Sequence, residues 1–510
     1  MSGKSYRLGA QVLLASLFAV CVYRAFTQSI TFDEAATWET YIRAPVSDIF
    51  HVYIANHHFL NTVLARLSTG LFGVSEWSMR LPALAGAALY FMACYRLART
   101  AFGDGFSTLL AVALATLNPL VLDFMVAARG YGLALALWMW AAAVLLDAFS
   151  RQTYPRTQML IAGSALALSV TANLVFVLPA AALAGMTVYL IRSQSAPPSA
   201  AATDLPKKNR TAKNRARHVG KKQKPALTRQ SRKPGLAPWV WFALPIVGIA
   251  VLFLNLAPFE KMTSESFYTG ALTIRESLRS LALSSLEHSG PFRRQPWLRH
   301  CTDVVAFGIA PLVAVAGLMV GILRRNLVLL LAASAVVFSG IALLLIHVGL
   351  DKPYPSDRTG IYFLPLVTFL LVGLAHAWRD HQGPDRAASI GAYIVGVVLV
   401  VHFATEFNTR KFLVWEYDAD TRSIADYVAA HRPPDQEIVR VGGSWQLQQS
   451  LRFYAVARNW TWIELRNAKP FAGCDYYALA PWDRTPVEEE LSLREIYRGP
   501  VSGSALAKPQ

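Results

Sequence analysis

Residues 8–34 read LGAQVLLASLFAVCVYRAFTQSITFDE. The stretch from 8 to 28 is long and apolar enough for one helix across a bilayer. Adjacent carboxylates, Asp33 and Glu34, follow it at once. Carboxylates placed where a helix leaves the membrane are costly unless they are solvated or used. Thr31 and Glu34 match the S/T-x-x-E capping box for a following helix. That local role accounts for Glu34 and leaves Asp33 without one. An Asp in this position is suited to accept a proton from an acceptor hydroxyl, so Asp33 and Glu34 are the candidate catalytic residues. The apolar stretch after Lys4 and Arg7 lacks a small-residue cleavage site, and is expected to stay as a signal anchor.

The pattern set by that first span repeats. The chain has 510 residues, 54% hydrophobic and only 16% charged, where soluble domains carry about 25% charge. The apolar runs are continuous and rich in Leu, Ala and Val, not alternating as in barrel strands. Eleven spans are expected, near 8–28, 80–98, 106–126, 131–149, 157–172, 174–191, 238–257, 303–323, 326–347, 360–377 and 387–406. The fold class is therefore an α-helical polytopic membrane protein of about 11 transmembrane helices. Its transmembrane domain spans 1–406, and a small extracytoplasmic α/β domain occupies 407–510.

Orientation follows from the basic residues, which collect on cytoplasmic connections. With the N-terminus inside, those connections hold Lys4 and Arg7, Arg96 and Arg99, Arg151 and Arg156, Arg324 and Arg325, and Arg379 and Arg386. They also hold the 192–237 loop. Between Asp204 and Gly235 this loop carries twelve basic residues against one acid, +11 of the net charge of +17. Its Pro, Ser, Ala and Gln content and lack of apolar period predict a disordered segment. Contact with anionic lipid explains it better than nucleic acid. Three regions then lie outside: 29–79, 258–302 and the tail. In 29–79 the spacing predicts short surface helices at Asp33–Arg43, Val46–Ile54 and Phe59–Phe72. In the tail it predicts a helix from Asp420 to His431, a strand over Glu437–Val441, a helix over Ser444–Tyr454, and strands at Trp460–Leu465 and Tyr476–Ala480. Four cysteines, Cys21, Cys94, Cys301 and Cys474, show no metal spacing and no disulfide framework.

Further candidate residues cluster at outer helix ends. In Asn56-His57-His58-Phe59-Leu60-Asn61, adjacent histidines point apart and make a poor chelate, so no metal site is expected. One imidazole bonding a phosphate oxygen suits them better. In Ala128-Arg129-Gly130-Tyr131-Gly132, Arg129 is a lone cation, and the glycines permit close backbone approach beside Tyr131. In Asp351-Lys352-Pro353-Tyr354-Pro355-Ser356-Asp357-Arg358, Arg358 stands where an apolar helix begins, and Lys352 is a second cation. Paired arginine donors suit phosphate. The candidate substrate-binding set is His57, His58, Arg129, Tyr131, Lys352 and Arg358. For each, solvation or headgroup contact is the bland alternative.

These motifs resemble the GT-C glycosyltransferases. An acidic pair after the first span is similar to their catalytic loop. Asn56 through Phe72-Gly73, Glu76 and Met79-Arg80-Leu81-Pro82-Ala83-Leu84 resemble the dolichyl-phosphate-mannose protein mannosyltransferase-like family, whose broad group includes the aminoarabinose transferases of lipid A. Ala128-Arg129-Gly130-Tyr131 is similar to that family's outer loop, and Asp357-Arg358 with Tyr362-Phe363-Leu364-Pro365 to its late Arg-Tyr-Leu-Leu-Pro segment. The resemblance implies a polyprenyl-phosphate sugar donor, an extracytoplasmic acceptor (protein, glycolipid or polysaccharide) and a bacterial inner-membrane location. It makes Asp33 the catalytic carboxylate and Glu34 its partner. Arg129, Arg358 and His57 are expected to neutralise the departing phosphate. A direct displacement would invert the anomeric centre. No cofactor is assigned; a divalent cation is compatible with this chemistry, and arginine cations could replace it. The rival reading is a transporter or flippase of lipid-linked sugars, which would place its charges at mid-membrane.

Overall fold

The computed structural model describes residues 2–195, 236–262, 270–287, 290, 295–466 and 473–510. The basic stretch 204–235 and parts of the 258–302 region lie outside the described residues. Helix α1 (Gly3–Thr27) leads into short α2 (Phe32–Thr37), which widens into a π-helical turn at Trp38–Arg43. Helices α3 (Asp48–His51) and α4 (Phe59–Phe72) follow. Then come α5 (Glu76–Phe102), α6 (Phe106–Leu117), α7 (Pro119–Phe124), α8 (Gly130–Arg151), α9 (Arg156–Ala172) and α10 (Val177–Ser195). The rest of the bundle is α11 (Pro238–Leu256), α12 (Ile274–Leu286), α13 (Pro296–Val304), α14 (Ala310–Leu323), α15 (Leu327–Leu350), α16 (Phe363–Trp378) and α17 (Pro384–Thr405).

A helix stands at each of the eleven expected spans. Among the described residues, eight helices are long and apolar enough to cross a membrane, while α6 and α16 are apolar but shorter. The chain is an integral membrane protein. The expected span 106–126 breaks at Asn118 because Pro119 has no N–H to continue the ladder; the Asn118 side chain instead caps α7 by accepting from Val121. Helices α9 and α10 are separate, divided at Asn173 by a 3₁₀ turn over Leu174–Phe176.

Helix α8 forms the buried centre, packed against α5 and α9. Small residues allow the closest approaches: a Cβ on Gly163 of α9 would stand 2.1 Å from the Phe242 carbonyl of α11. Helices α11, α14, α15 and α17 turn Leu244, Val247, Leu312, Leu345 and Val398 outward, as a lipid-facing surface requires.

The tail adds α18 (Thr421–Ala430), β1 (Val439–Gly443), α19 (Trp445–Ala457), β2 (Ile463–Leu465), β3 (Tyr476–Leu479), α20 (Arg484–Glu490), β4 (Leu493–Arg498) and β5 (Ala505–Pro509). The sheet order is β2-β1-β3-β5-β4. Strand β1 runs parallel to β2 and β3, with Val441 opposite Tyr476; β5 runs antiparallel to β3 and β4. This domain shares one apolar cluster with the loop after α1. Ile30, Ala35 and Trp38 pack in the same core as Ile424, Val441 and Leu451. The tail is thus the roof of that loop, which positions the site described next.

Candidate active site

The site starts at the capping box. Thr31 Oγ1 accepts the Glu34 amide at 3.3 Å, and Glu34 Oε2 accepts the Thr31 amide at 2.9 Å. Glu34 does more than cap. Arg80 of α5 grips it with two parallel bonds, Nε to Oε1 at 2.9 Å and Nη2 to Oε2 at 2.8 Å. The Ala128 amide donates to Oε1 at 2.6 Å. Both partners of the ion pair are fully buried. Burial opposes the Glu34 charge, but Arg80 and the amides of Ala128 and Thr31 outweigh it and hold its pKa below the ordinary value. Arg80 also donates to the carbonyls of Gln28 at 2.8 Å and Ser29 at 2.7 Å, which end α1. Thus one guanidinium fixes the end of α1, the start of α2 and, through Glu34, the residue before Arg129.

Asp33, the next residue on α2, faces a different space. It is 7% exposed. Its Oδ1 accepts from Asn56 Nδ2 at 3.2 Å, and Asn56 Oδ1 accepts from Arg129 Nη2 at 2.9 Å. Its Oδ2 lies 3.6 Å from Arg129 Nη2 and 3.6 Å from Arg358 Nη2. Those separations exceed the ~2.7–2.9 Å of a charge-assisted hydrogen bond. Among the described residues, Asp33 Oδ2 and Arg129 Nε and Nη1 are buried with no hydrogen-bond partner. One carboxylate between two guanidiniums leaves a net positive charge with unspent N–H donors, an arrangement suited to a further anion.

The other expected residues surround this centre. Burial opposes the charge of Arg358, and Tyr131, Asp33 and Asp357 outweigh it; the Tyr131 ring meets that of His58 at 5.1 Å. His58 and Ala172 press on Gly130, where a Cβ would stand 2.8 Å from His58 Cβ and 1.9 Å from the Ala172 carbonyl. Gly130 is therefore required by close approach. His57 lies between the rings of Tyr41, at 4.3 Å, and Tyr53, at 6.3 Å. Burial pushes its pKa down to about 4 and that of His58 well below the ordinary value. Both are therefore held in the neutral form in this site. Lys352 sits on the α15–α16 connection that carries Arg358; its carbonyl bonds the His347 ring at 2.8 Å.

Three contributors were not assigned from sequence: Asn56, Arg80 and Asp418. Asn56 and Arg80 lie inside motifs noted for their resemblance, but their spatial partners are distant in the chain. Asp418 belongs to the tail. Its Oδ2 accepts the Phe32 amide at 2.6 Å, and its Oδ1 accepts from Ser450 at 2.9 Å and Thr421 at 3.2 Å. It therefore satisfies an orphan donor at the start of α2 from across the fold. Arg452 reaches Glu39 at 2.7 Å, a second link from the tail.

One further feature borders the site. An apolar cavity of about 270 Å³ lies among α12, α14, α15, α16 and α17, lined by Ile274, Leu281, Ala310, Leu343, Phe363 and Leu399. Tyr354 and Pro355, from the segment bearing Arg358, close one side of it. Among the described residues, no group of three or more His, Cys, Asp and Glu side chains is placed to hold a metal ion, and Cys301 and Cys474 are unpaired thiols.

Residues 56–201 match the family model described as dolichyl-phosphate-mannose-protein mannosyltransferase. No curated protein matches the sequence. In structure the chain is similar to ArnT from Cupriavidus metallidurans in the apo state, with a TM-score of 0.50 and 12% identity over 98% of each chain. It is also similar to the same protein bound to undecaprenyl phosphate, with a TM-score of 0.49 and 13% identity over 97% of each chain. A third similar structure is the arabinofuranosyltransferase AftD from mycobacteria, with a TM-score of 0.45, 15% identity, and coverage of 100% of this chain and 40% of that one. The chain shares its overall fold with the apo ArnT structure; here it is a helical bundle with an acidic loop after the first helix and a small α/β roof.

Proposed function

We propose that the chain moves a monosaccharide from a polyprenyl-phosphate donor to an acceptor outside the cytoplasm, on a protein, glycolipid or polysaccharide. The observation that carries this reading is Asp33 held 3.6 Å from both Arg129 and Arg358, with Arg129 donors unspent. In the proposed step the acceptor hydroxyl gives its proton to Asp33 as its oxygen attacks the anomeric carbon. The bond from that carbon to the phosphate oxygen breaks, and its electron pair leaves with the polyprenyl phosphate. Arg129 and Arg358 stabilise the charge that gathers there, commonly the largest catalytic term. One displacement inverts the anomeric centre. Lys352, on the connection that carries Arg358, adds a further positive charge. Glu34, spent on Arg80 and backbone amides, positions Asp33 and does not move protons. His57 and His58 contribute as neutral hydrogen-bonding groups.

The apolar cavity beside Tyr354 and Phe363 suits the isoprenoid tail, and Tyr354 and Pro355 of its wall lie in the segment that bears Arg358. The charged groups gather at helix ends and not at mid-bilayer, which favours this reading over a transporter or flippase. We assign the N-terminus to the cytoplasm and residues 407–510 to the opposite side, in a bacterial inner membrane. Asn173, just before the turn into α10, and Phe253, in the last turn of α11, line one small cavity, while α10 ends at Ser195 and α11 begins at Pro238, on either side of the basic stretch. That stretch therefore joins the bundle at the far end, where contact with anionic lipid is expected. Residues 1–406 form the transferase core and 407–510 its roof.

The test is turnover. Purified protein is given undecaprenyl-phosphate glucose, mannose, galactose or arabinose, and release of undecaprenyl phosphate is followed by mass spectrometry with cell-envelope extract as acceptor. Release from at least one donor is expected; release from none, with no binding of undecaprenyl phosphate, would refute the proposal.

A further inference from the structure

Beside the ionic centre is a much smaller cavity, of about 10 Å³, bordered by Tyr53, His57, Phe59, Asn173, Phe253 and Phe259. One of its lining residues, His57, follows Asn56 in the chain, the residue that links Asp33 to Arg129. Its walls are aromatic: Phe59 meets Phe253 at 5.6 Å, and Phe253 meets Phe259 at 5.1 Å. Among the polar side chains on that lining, Thr171 is satisfied by the Leu168 carbonyl at 2.9 Å, while Asn173 and His57 each keep an unsatisfied atom. Asn173 is 4% exposed and His57 is 8% exposed. Among the described residues, Asn173 Nδ2 and His57 Nε2 have no hydrogen-bond partner.

The orientation of the Asn173 amide is set by its other end. Oδ1 accepts the Val175 amide at 3.1 Å, capping the turn into α10, so the unpartnered atom is the N–H₂ donor. His57 is neutral, since burial pushes its pKa down to about 4. In the Nδ1–H tautomer its Nε2 is an acceptor. With His57 in that tautomer the cavity carries a buried donor and a buried acceptor, which together suit a group that both accepts and donates. The volume is about that of one water molecule, too small for a sugar ring and sufficient for one hydroxyl. A cationic ammonium is disfavoured, because it offers the Asn173 donor no acceptor.

We propose that this cavity seats one hydroxyl of the transferred sugar, Asn173 Nδ2 donating to its oxygen and His57 Nε2 accepting its proton. The inference rests on the sugar-donor reading and deepens it. The pocket selects among sugars by a single hydroxyl, while the ring lies outside against Asp33 and Asn56.

The test uses purified full-length protein in nanodiscs. The probe is the undecaprenyl-phosphate sugar that it turns over among the glucose, mannose, galactose and arabinose forms, with each monodeoxy analogue of that sugar. The wild type should reject one analogue by at least about tenfold in kcat/KM, the effect of one lost hydrogen bond in a buried site. Asn173→Asp keeps an oxygen for Val175 but removes the donor. It should lower the parent sugar to the level of that analogue and leave the analogue unchanged. Asn173→Ser, which also keeps a capping oxygen, should give the same pattern if the Asp variant does not fold. Arg358→Ala should lower the parent and all analogues alike. If no analogue is discriminated, or if both Asn173 variants depress parent and analogues together, the cavity holds only an ordered water and the proposal is overturned. Absence of turnover with all four donors and of undecaprenyl-phosphate binding would overturn the donor reading, and this subsite with it.

Discussion

Glu34 and Arg80 form a two-pronged ion pair, 2.9 and 2.8 Å long, with both side chains withdrawn from solvent. The pair joins α2 to α5, and through the Ala128 amide it reaches the residue before Arg129. Removing one partner leaves a buried charge uncompensated, which costs about 3–5 kcal/mol. Glu34→Gln and Arg80→Met should therefore lower the melting temperature of the detergent-solubilised protein sharply, although Gln can still cap α2. Loss of transfer by Glu34→Gln with an unchanged melting temperature would instead make Glu34 part of the chemistry.

Arg358 is more exposed, at 25% of its side chain, and its loss should be tolerated by the fold. Arg358→Ala should weaken undecaprenyl-phosphate binding by about tenfold or more, the loss of a charge-assisted contact of ~1.5–3 kcal/mol. Arg358→Lys should recover only part of it, because an ammonium cannot present paired donors. Titration with the lipid phosphate by native mass spectrometry measures both.

Asp418 makes stability depend on pH. Burial raises its pKa from 3.8 to about 8, against the hydrogen bonds from Phe32, Ser450 and Thr421. The folded state then holds a proton that the unfolded chain has released, so stability falls as pH rises between about 4 and 8. Melting temperatures taken from pH 5 to 8.5 should decline, and Asp418→Asn, which keeps an acceptor for the Phe32 amide, should flatten the decline. An unaltered slope would place its origin elsewhere.

Topology is checked separately. A phosphatase reporter after Gln510 should be active only outside the cytoplasm, and a fluorescent reporter inserted at Gly220 should mature only inside. Both signals on one side would contradict the proposed orientation.

Much of the fold was legible because a bilayer imposes a long apolar run on each crossing. The spans were found, and so were α4, α18 and α19. The strands β4 and β5 were not, because Leu493–Arg498 and Ala505–Pro509 carry charged or small residues with little alternation. Asp33, Arg129 and Arg358 stood out as charges at the ends of apolar helices. Asn56 did not, since only the folded chain places it between Asp33 and Arg129. Glu34 looked equally like a cap and a catalyst, because its Arg80 partner lies 46 residues away and leaves no local signal. Asp418 is still farther from its partner Phe32, at 386 residues.

In the proposed step the transfer depends most directly on Asp33 as the base. Asp33→Asn preserves shape and the contact with Asn56 while removing the charge. The direct measurement is single-turnover transfer from the accepted undecaprenyl-phosphate sugar, alongside undecaprenyl-phosphate affinity. Transfer should fall by about 10²–10⁴-fold, as expected for loss of a general base, with no weakening of lipid-phosphate binding. Near-normal transfer by a correctly folded Asp33→Asn protein would contradict the account.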